Sequence, residues 1–140
     1  IPTNTPDPPA AIGPYSQAIR FQNFLFTSGQ IPLGPATGEV KGDDVAAQAD
    51  LALRNLEAVL KANGIGFDNV IKTTCFLADM ADFAAFNQVY GKYFVNNKPA
   101  RSCVAVRELP KGVLCEVEAV AAISSVTTIL RPASPAMFQK

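Results

Sequence analysis

The chain has 140 residues, of which 49% are apolar and 17% are charged, so it is long enough to form one domain with a buried core. Its 12 basic and 12 acidic residues give a formal net charge of zero without a run of either sign, which argues against a nucleic-acid-binding surface. Histidine is absent, which excludes nucleophiles activated by histidine and metal sites with histidine ligands.

The sequence also bears on the compartment. No apolar run approaches the roughly 20 residues of a membrane span, and the N-terminal segment lacks the basic and apolar regions of a signal peptide. The three cysteines, Cys75, Cys103 and Cys115, lie in predicted strands without a CxxC pair, which indicates free thiols in a reducing compartment. We therefore expect a cytoplasmic protein, or an organellar one if a targeting segment has been removed.

The first part of the chain predicts a β-hairpin. The proline-rich N-terminus predicts irregular structure. Two runs, 13–21 and 24–28, predict strands joined by a turn at Gln22-Asn23. A further short strand is predicted at 39–41.

A helix and a strand follow. The helix is predicted at about 45–62, with Asp43 or Asp44 as its N-cap. Its apolar face consists of four residues at helical spacing: Ala49, Leu53, Leu56 and Leu60. The strand is predicted at 70–77.

A second helix is predicted at about 83–95, capped by Asp79 or Asp82. One face of this helix is aromatic, and we expect it in the core rather than in a ligand site. The residues are Phe83, Phe86, Tyr90 and Phe94.

The last part of the domain predicts a second hairpin. An alternating strand at 101–107 and an apolar strand at 113–123 flank residues with the composition of a turn. Because side chains alternate across a strand, Glu116 and Glu118 share one face. The turn would place the strand that contains Arg101 beside this acidic strand.

This predicted juxtaposition has two interpretations. An arginine and a glutamate can form a structural ion pair in the sheet. Alternatively, they form a site in which Arg101 binds a carboxylate through two parallel hydrogen bonds and a glutamate handles a water or a proton. Spacing alone leaves both interpretations open.

The order of elements predicts one α/β domain over residues 1–140, with its core at about 10–123. Both helices lie on one face of a mixed sheet. The other face needs a cover that one domain cannot supply, so we expect an oligomer. Residues 124–140 contain two prolines and few periodic apolar residues, which predicts an extended tail.

Four segments resemble one known family. They are GPYSQA (13–18), TSGQIP (27–32), VIKTTCFLADMADFAAFNQVY (70–90) and PARSCVAVRELPKGVLCEVEAVA (99–121). In this order and spacing they resemble the reactive intermediate/imine deaminase (Rid; YjgF/L-PSP) family, and the last segment resembles its RidA subgroup. The similarity covers roughly residues 10–123, whereas the tail departs from the family pattern.

The resemblance implies a chorismate-mutase-like fold assembled as a homotrimer, with the sheets packed inward and ligand clefts between subunits. It implies hydrolysis of reactive 2-imino acids, such as 2-iminobutanoate and 2-iminopropanoate, to 2-oxo acids and ammonia without a cofactor or metal. Some members are described as endoribonucleases or translation inhibitors, but the zero net charge and the lack of histidine argue against RNA here. A third alternative is a protein that binds a small carboxylate without turnover.

The resemblance also implies the residues of the site. Arg101 binds the substrate carboxylate, and Glu116 positions the hydrolytic water. Five further residues are expected to line the cleft: Tyr15, Ser28, Gly29, Asn87 and Cys103. Without a histidine to activate it, Cys103 is expected as a small thiol rather than a nucleophile.

Overall fold

The structure is a computed structural model that describes residues 2–3, 10 and 13–124, so the predicted tail lies outside the described residues apart from Ser124. In this part of the chain, two α-helices pack on one face of a six-stranded mixed sheet. The strands are β1 (Pro2–Thr3), β2 (Ala18–Phe21), β3 (Phe24–Thr27), β4 (Val70–Leu77), β5 (Ala100–Ala105) and β6 (Cys115–Ala122). The helices are α1 (Val45–Ala62) and α2 (Phe83–Tyr93).

Helix α1 forms where the local sequence predicts it. The Asp44 side chain accepts a hydrogen bond from the Ala47 amide at 2.8 Å, which satisfies one of the unpaired N–H groups of the first turn. Gly64 follows the C-cap with a φ of 74°, a left-handed conformation that glycine adopts without strain. The predicted apolar face is fully buried: Ala49, Leu53, Leu56 and Leu60. The predicted bounds of this helix are confirmed.

Helix α2 ends two residues earlier than predicted. Asp79 accepts a hydrogen bond from the Ala81 amide at 2.9 Å and so caps the short 3-10 turn that leads into α2. The helix buries Phe86, and the residue that follows it, Phe94, is also in the core. By contrast, Phe83 and Tyr90 are only partly buried, so the aromatic face is not entirely core.

The sheet has the order β1-β2-β3-β6-β4-β5, in which β4 and β5 are parallel and all other neighbours are antiparallel. The predicted pairing of β2 with β3 is confirmed, but β2 begins at Ala18 and not at residue 13 as predicted. The predicted hairpin of β5 and β6 is wrong, because β4 lies between these strands. Helix α2 crosses over the sheet and returns the chain parallel to β4. Residues 106–114 then pass the end of β4 before β6 begins.

Two smaller differences from the sequence predictions concern short strands. The strand predicted at 39–41 is a single bridge between Leu33 and Val40. The N-terminus, predicted to be irregular, contributes β1, in which Pro2 and Thr3 pair with β2. A single bridge and a two-residue strand are both too short to show the alternating pattern on which the prediction of a strand depends.

The two faces of the sheet differ in their cover. The face toward the helices is buried, as the four residues Cys75, Leu77, Cys115 and Val117 illustrate. The other face leaves apolar side chains exposed on the single chain: Ile19, Phe21, Phe24, Phe26 and Val104. The arrangement of both helices on one face therefore agrees with the prediction. Among the described residues, no helix combines the length and the hydropathy that crossing a bilayer requires.

Candidate functional site

Arg101 lies on β5 and faces helix α2. It pairs in register with Thr73 of β4, whose side chain is on the helix side of the sheet. One guanidinium nitrogen, Nη1, donates a hydrogen bond to Asn87 Oδ1 at 2.7 Å. The guanidinium carbon lies 4.7 Å from the ring centre of Tyr90 and 5.5 Å from that of Phe83. Arg101 forms no ion pair with any described residue, so its charge is held by neutral groups alone.

The Tyr90 ring is held in place by a hydrogen bond between its phenol group and the buried hydroxyl of Thr73. Its phenol oxygen is 2.7 Å from Thr73 Oγ1, and Thr73 is fully buried. Burial raises the pKa of Tyr90 to about 12, so the phenol is neutral at physiological pH. A neutral aromatic face beside a guanidinium is a favourable cation–π arrangement. The ring therefore limits the positions that the Arg101 side chain can adopt.

Cys103 follows Arg101 on the same face of β5, opposite Cys75 of β4. Its thiol is partly buried, and burial raises its pKa although the nearby Arg101 charge opposes the rise. A thiol with a raised pKa is a poor nucleophile at neutral pH, because the thiolate is the reactive form. This electrostatic environment argues against nucleophilic catalysis by Cys103.

A second group of polar residues surrounds Glu116. A cavity of about 280 Å³ is lined by Glu116 together with Tyr15, Ser28 and Gly29. Ser28 Oγ donates a hydrogen bond to the Ser16 carbonyl at 2.6 Å. We call this space the Glu116 cavity. It brings together four of the residues that the sequence predicts for the site.

Gly29 allows the Glu116 carboxylate to occupy its position. A Cβ atom built at Gly29 would lie only 2.7 Å from the carboxyl carbon of Glu116, which is closer than real Cβ contacts. The carboxylate is half-buried, and burial is the main reason that its pKa is raised. The charge of Glu118, two residues along the same face of β6, raises the pKa of Glu116 further. Glu116 is therefore a stronger base than an ordinary surface glutamate.

The two groups lie on opposite sides of the sheet in one chain. Arg101 pairs with Thr73 of β4, whereas Glu116 pairs with Phe76. These two β4 positions are three residues apart, so their side chains leave opposite faces of the sheet. In addition, β4 separates the two strands by about 10 Å. The predicted pairing of Arg101 with a glutamate is therefore wrong within one chain.

The comparisons with known proteins agree with this fold. Residues 5–123 match the family model described as Endoribonuclease L-PSP. This match covers most of the chain. The chain belongs to the Rid/YjgF/L-PSP family.

The matches with individual members of this family cover almost the whole length of each relative. RutC family protein PH0854 of Pyrococcus horikoshii is 51% identical over 117 residues, which cover 84% of this chain and 93% of the relative. The crystal structure of the E. coli YjgF gene product is 47% identical with a TM-score of 0.81, over 86% of this chain and 96% of that one. The structure of E. coli TdcF with bound serine is 45% identical with a TM-score of 0.82, over 86% and 97%.

Four of the residues that belong to these two groups were not predicted from the sequence of this Rid-family chain. Phe83 and Tyr90 were predicted as core, although they are on the same helical face as Asn87 at spacings of four and three residues. That spacing was the available signal. Gln17 and Gln30 line the Glu116 cavity and are almost fully buried. Gln17 belongs to the segment GPYSQA and Gln30 to the segment TSGQIP, both of which resemble the family. The described residues contain no cluster of acidic, cysteine or histidine side chains suited to a metal ion.

Proposed function

We propose that this protein hydrolyses reactive 2-imino acids, such as 2-iminobutanoate and 2-iminopropanoate, to 2-oxo acids and ammonia. The main support is Arg101, a guanidinium that has no ion-pair partner among the described residues and is held by Asn87 and two aromatic rings. A positioned guanidinium binds a planar carboxylate through two parallel hydrogen bonds. The serine bound to the TdcF relative carries the same carboxylate next to a nitrogen-bearing carbon.

The proposed chemistry requires an acid–base group but no metal. A protonated imine is already electrophilic at its C2 carbon. Glu116 accepts a proton from a water molecule as the water oxygen bonds to C2, and the resulting carbinolamine takes this proton on its nitrogen. The C–N bond then breaks with its electron pair on nitrogen, and Glu116 transfers the hydroxyl proton to the departing ammonia, so that the products are the 2-oxo acid and ammonium. Positioned acid–base groups typically contribute about 10²–10⁴-fold to a rate.

The separation of the two groups leads to a proposal about assembly. One small substrate cannot contact Arg101 and Glu116 of the same chain, because the two side chains leave opposite faces of the sheet. We therefore propose that Arg101 of one subunit and Glu116 of a neighbour line a shared cleft, together with Asn87, Tyr15 and Ser28. The exposed apolar face of the sheet supplies a surface that assembly would bury. The homotrimer is the arrangement that the family resemblance implies.

Assembly can be tested with a charge on this apolar face. Phe26 is 46% exposed on the open face, which the proposed assembly buries. Phe26→Glu places a charge there and should therefore reduce the molar mass in solution to that of a single chain and remove imine hydrolysis. Light scattering coupled to size exclusion measures the mass. Met80→Glu is the matched control, since Met80 is 44% exposed but lies in the short 3-10 turn before α2 and not on the sheet. A Phe26→Glu chain that is monomeric and fully active would contradict the shared cleft.

The Tyr90 ring offers a smaller test of how Arg101 is held. Tyr90→Leu removes the aromatic face and should raise KM by roughly twofold to thirtyfold, in line with cation–π energies of about 0.5–2 kcal/mol. Tyr90→Phe keeps the ring but removes the hydrogen bond to Thr73, so it should mainly lower stability, by about 1 kcal/mol. Steady-state kinetics and thermal unfolding separate the two effects. An unchanged KM in Tyr90→Leu would rule out a positioning role for this ring.

The activity itself is tested by coupling to an amino acid dehydratase that releases 2-iminobutanoate. The rate of 2-oxobutanoate formation should increase in proportion to the amount of this protein, above spontaneous hydrolysis. No increase over a buffer control would contradict the proposal. If 2-oxobutanoate nevertheless stabilises the protein against thermal unfolding, the alternative of a carboxylate-binding protein without turnover is favoured.

A role with RNA is the second candidate, because the matching family model is described as an endoribonuclease. The sequence offers it little support, since the chain has no histidine and a formal net charge of zero. Binding to RNA through its phosphates would be strongly salt-dependent. RNA cleavage that copurifies with the protein and disappears in the Glu116→Gln variant would support this candidate.

A further inference from the structure

A cavity next to Arg101 contains a second positive charge. This cavity has a volume of about 310 Å³, and we call it the Arg101 cavity. Its lining includes Asn87, Tyr90, Phe94, Lys98, Pro99 and Arg101. The lining thus combines two cations, one amide and two aromatic rings, and it includes no aspartate or glutamate. A cavity with this lining favours an anionic ligand.

The backbone around Lys98 is held on both sides. The Asn97 side chain donates hydrogen bonds to the carbonyls of Val70 at 2.6 Å and Phe67 at 3.3 Å. On the other side, Pro99 restricts the conformation of Lys98, and Ala100 begins strand β5. Lys98 therefore extends from a defined position although its side chain is flexible.

The charge of Lys98 is not neutralised within the described part of the chain. Its ammonium group forms no ion pair or hydrogen bond with a described residue. Arg101 likewise has no carboxylate partner among these residues, and its hydrogen bond is to a neutral amide. Two cations in one cavity without a counter-charge repel each other, and a ligand with two anionic groups would relieve this repulsion.

We infer that the Arg101 cavity selects ligands with two carboxylates, the first bound by Arg101 and the second, at the far end of the molecule, by Lys98. This inference rests on the proposed function and specifies its substrate class as imines derived from dicarboxylic amino acids. Arg101 supplies the binding common to all 2-imino acids, and Lys98 supplies the preference among them. Because Lys98 is exposed, the preference is modest, roughly twofold to fivefold, as for other exposed ion pairs.

Two 2-oxo acids of equal chain length test this preference without any turnover. The probes are 2-oxoglutarate and 2-oxopentanoate, which differ in the distal carboxylate, and their Kd values are measured by calorimetry on the full chain at low salt. The parent should bind 2-oxoglutarate roughly twofold to fivefold more tightly. Lys98→Gln should bring the two Kd values together. Lys92→Gln, an exposed lysine of α2 that does not line the cavity, should retain the preference.

The outcomes separate this inference from the proposed function. A preference that is absent in the parent, or that is equal in Lys98→Gln and the parent, overturns the role of Lys98 even if imine hydrolysis is observed. Failure of 2-oxoglutarate to bind the parent overturns it as well. Conversely, a preference that depends on Lys98 supports the dicarboxylate site even if no hydrolysis is detected, in which case only the proposed activity falls.

Discussion

Replacing Arg101 with alanine should lower kcat/KM for 2-iminobutanoate hydrolysis by about 10²- to 10⁴-fold. Each hydrogen bond to a charged group contributes roughly 1.5–3 kcal/mol, and the proposed carboxylate contact uses two of them. A change of about 1.4 kcal/mol in activation free energy corresponds to a tenfold change in rate. The measurement is the dehydratase-coupled formation of 2-oxobutanoate, corrected for spontaneous hydrolysis.

Arg101→Lys distinguishes the geometry of the contact from its charge. Lysine keeps one positive charge but cannot form the bidentate contact or stack its planar group on Tyr90. We expect a loss of about tenfold to 100-fold, which lies between the parent and the alanine variant. Arg54→Ala is the matched control, because Arg54 is an exposed arginine that pairs with Asp50 at 3.1 Å on the surface of α1. If Arg101→Ala were as active as Arg54→Ala, Arg101 would not bind the substrate carboxylate.

Local signals in the sequence were sufficient for the elements that support the site. Helix α1 has the predicted bounds because its cap at Asp44, its apolar face and its terminal glycine all lie within or next to the helix. Strand β4 also has the predicted bounds, because its run of apolar and β-branched residues is a local signal. The pairing of β5 with β6 was predicted wrongly, because turn composition between 109 and 112 indicates a turn but does not indicate which strands pair.

The site was less predictable than the helices and strands, because it depends on contacts between residues that are distant in the sequence. Asn87 and Arg101 are 14 residues apart, and their 2.7 Å hydrogen bond depends on how α2 crosses the sheet. The rings of Phe86 and Tyr90 belong to one aromatic face, yet Phe86 is buried in the core and Tyr90 reaches Arg101. Sequence spacing shows that such rings share a helix face. It does not show which of them lies at the edge of the helix, next to a strand that comes later in the chain.

Replacing Glu116 with glutamine should remove most of the activity while making the protein more stable at neutral pH. The loss of a positioned base lowers the rate by about 10²–10⁴-fold. The native pKa of Glu116 is raised above its usual value by burial, so the native state binds the proton more tightly than the unfolded chain does. Stability therefore falls as pH rises through this pKa. Glutamine has the same shape without the charge and avoids this loss.

The two effects of Glu116→Gln have separate measurements. Thermal unfolding should show a higher Tm than the parent at pH 7, and this difference should shrink as the pH falls and disappear by about pH 3, well below the unfolded-state pKa of about 4.3. The coupled assay should show the loss of activity at pH 7. A variant that is less stable than the parent at pH 7 would mean that a cation across the proposed shared cleft, such as Arg101 of the neighbouring subunit, stabilises the ionised carboxylate by more than burial destabilises it, and the argument from burial would fail.

Glu118→Gln is the companion variant, because it changes the pKa of Glu116 without removing the base. Glu118 is two residues away on the same face of β6, and its negative charge raises the pKa of Glu116. Without that charge the pKa of Glu116 should fall, so that the acidic limb of the pH–rate profile moves to lower pH while the rate at pH 7 stays within a fewfold of the parent. If Glu118 served only as a structural partner, its replacement would lower stability and leave the acidic limb where it is in the parent. A shifted limb therefore links the carboxylate of Glu116 to the proton transfer, and an unshifted limb together with full activity in Glu116→Gln would assign the chemistry to another group.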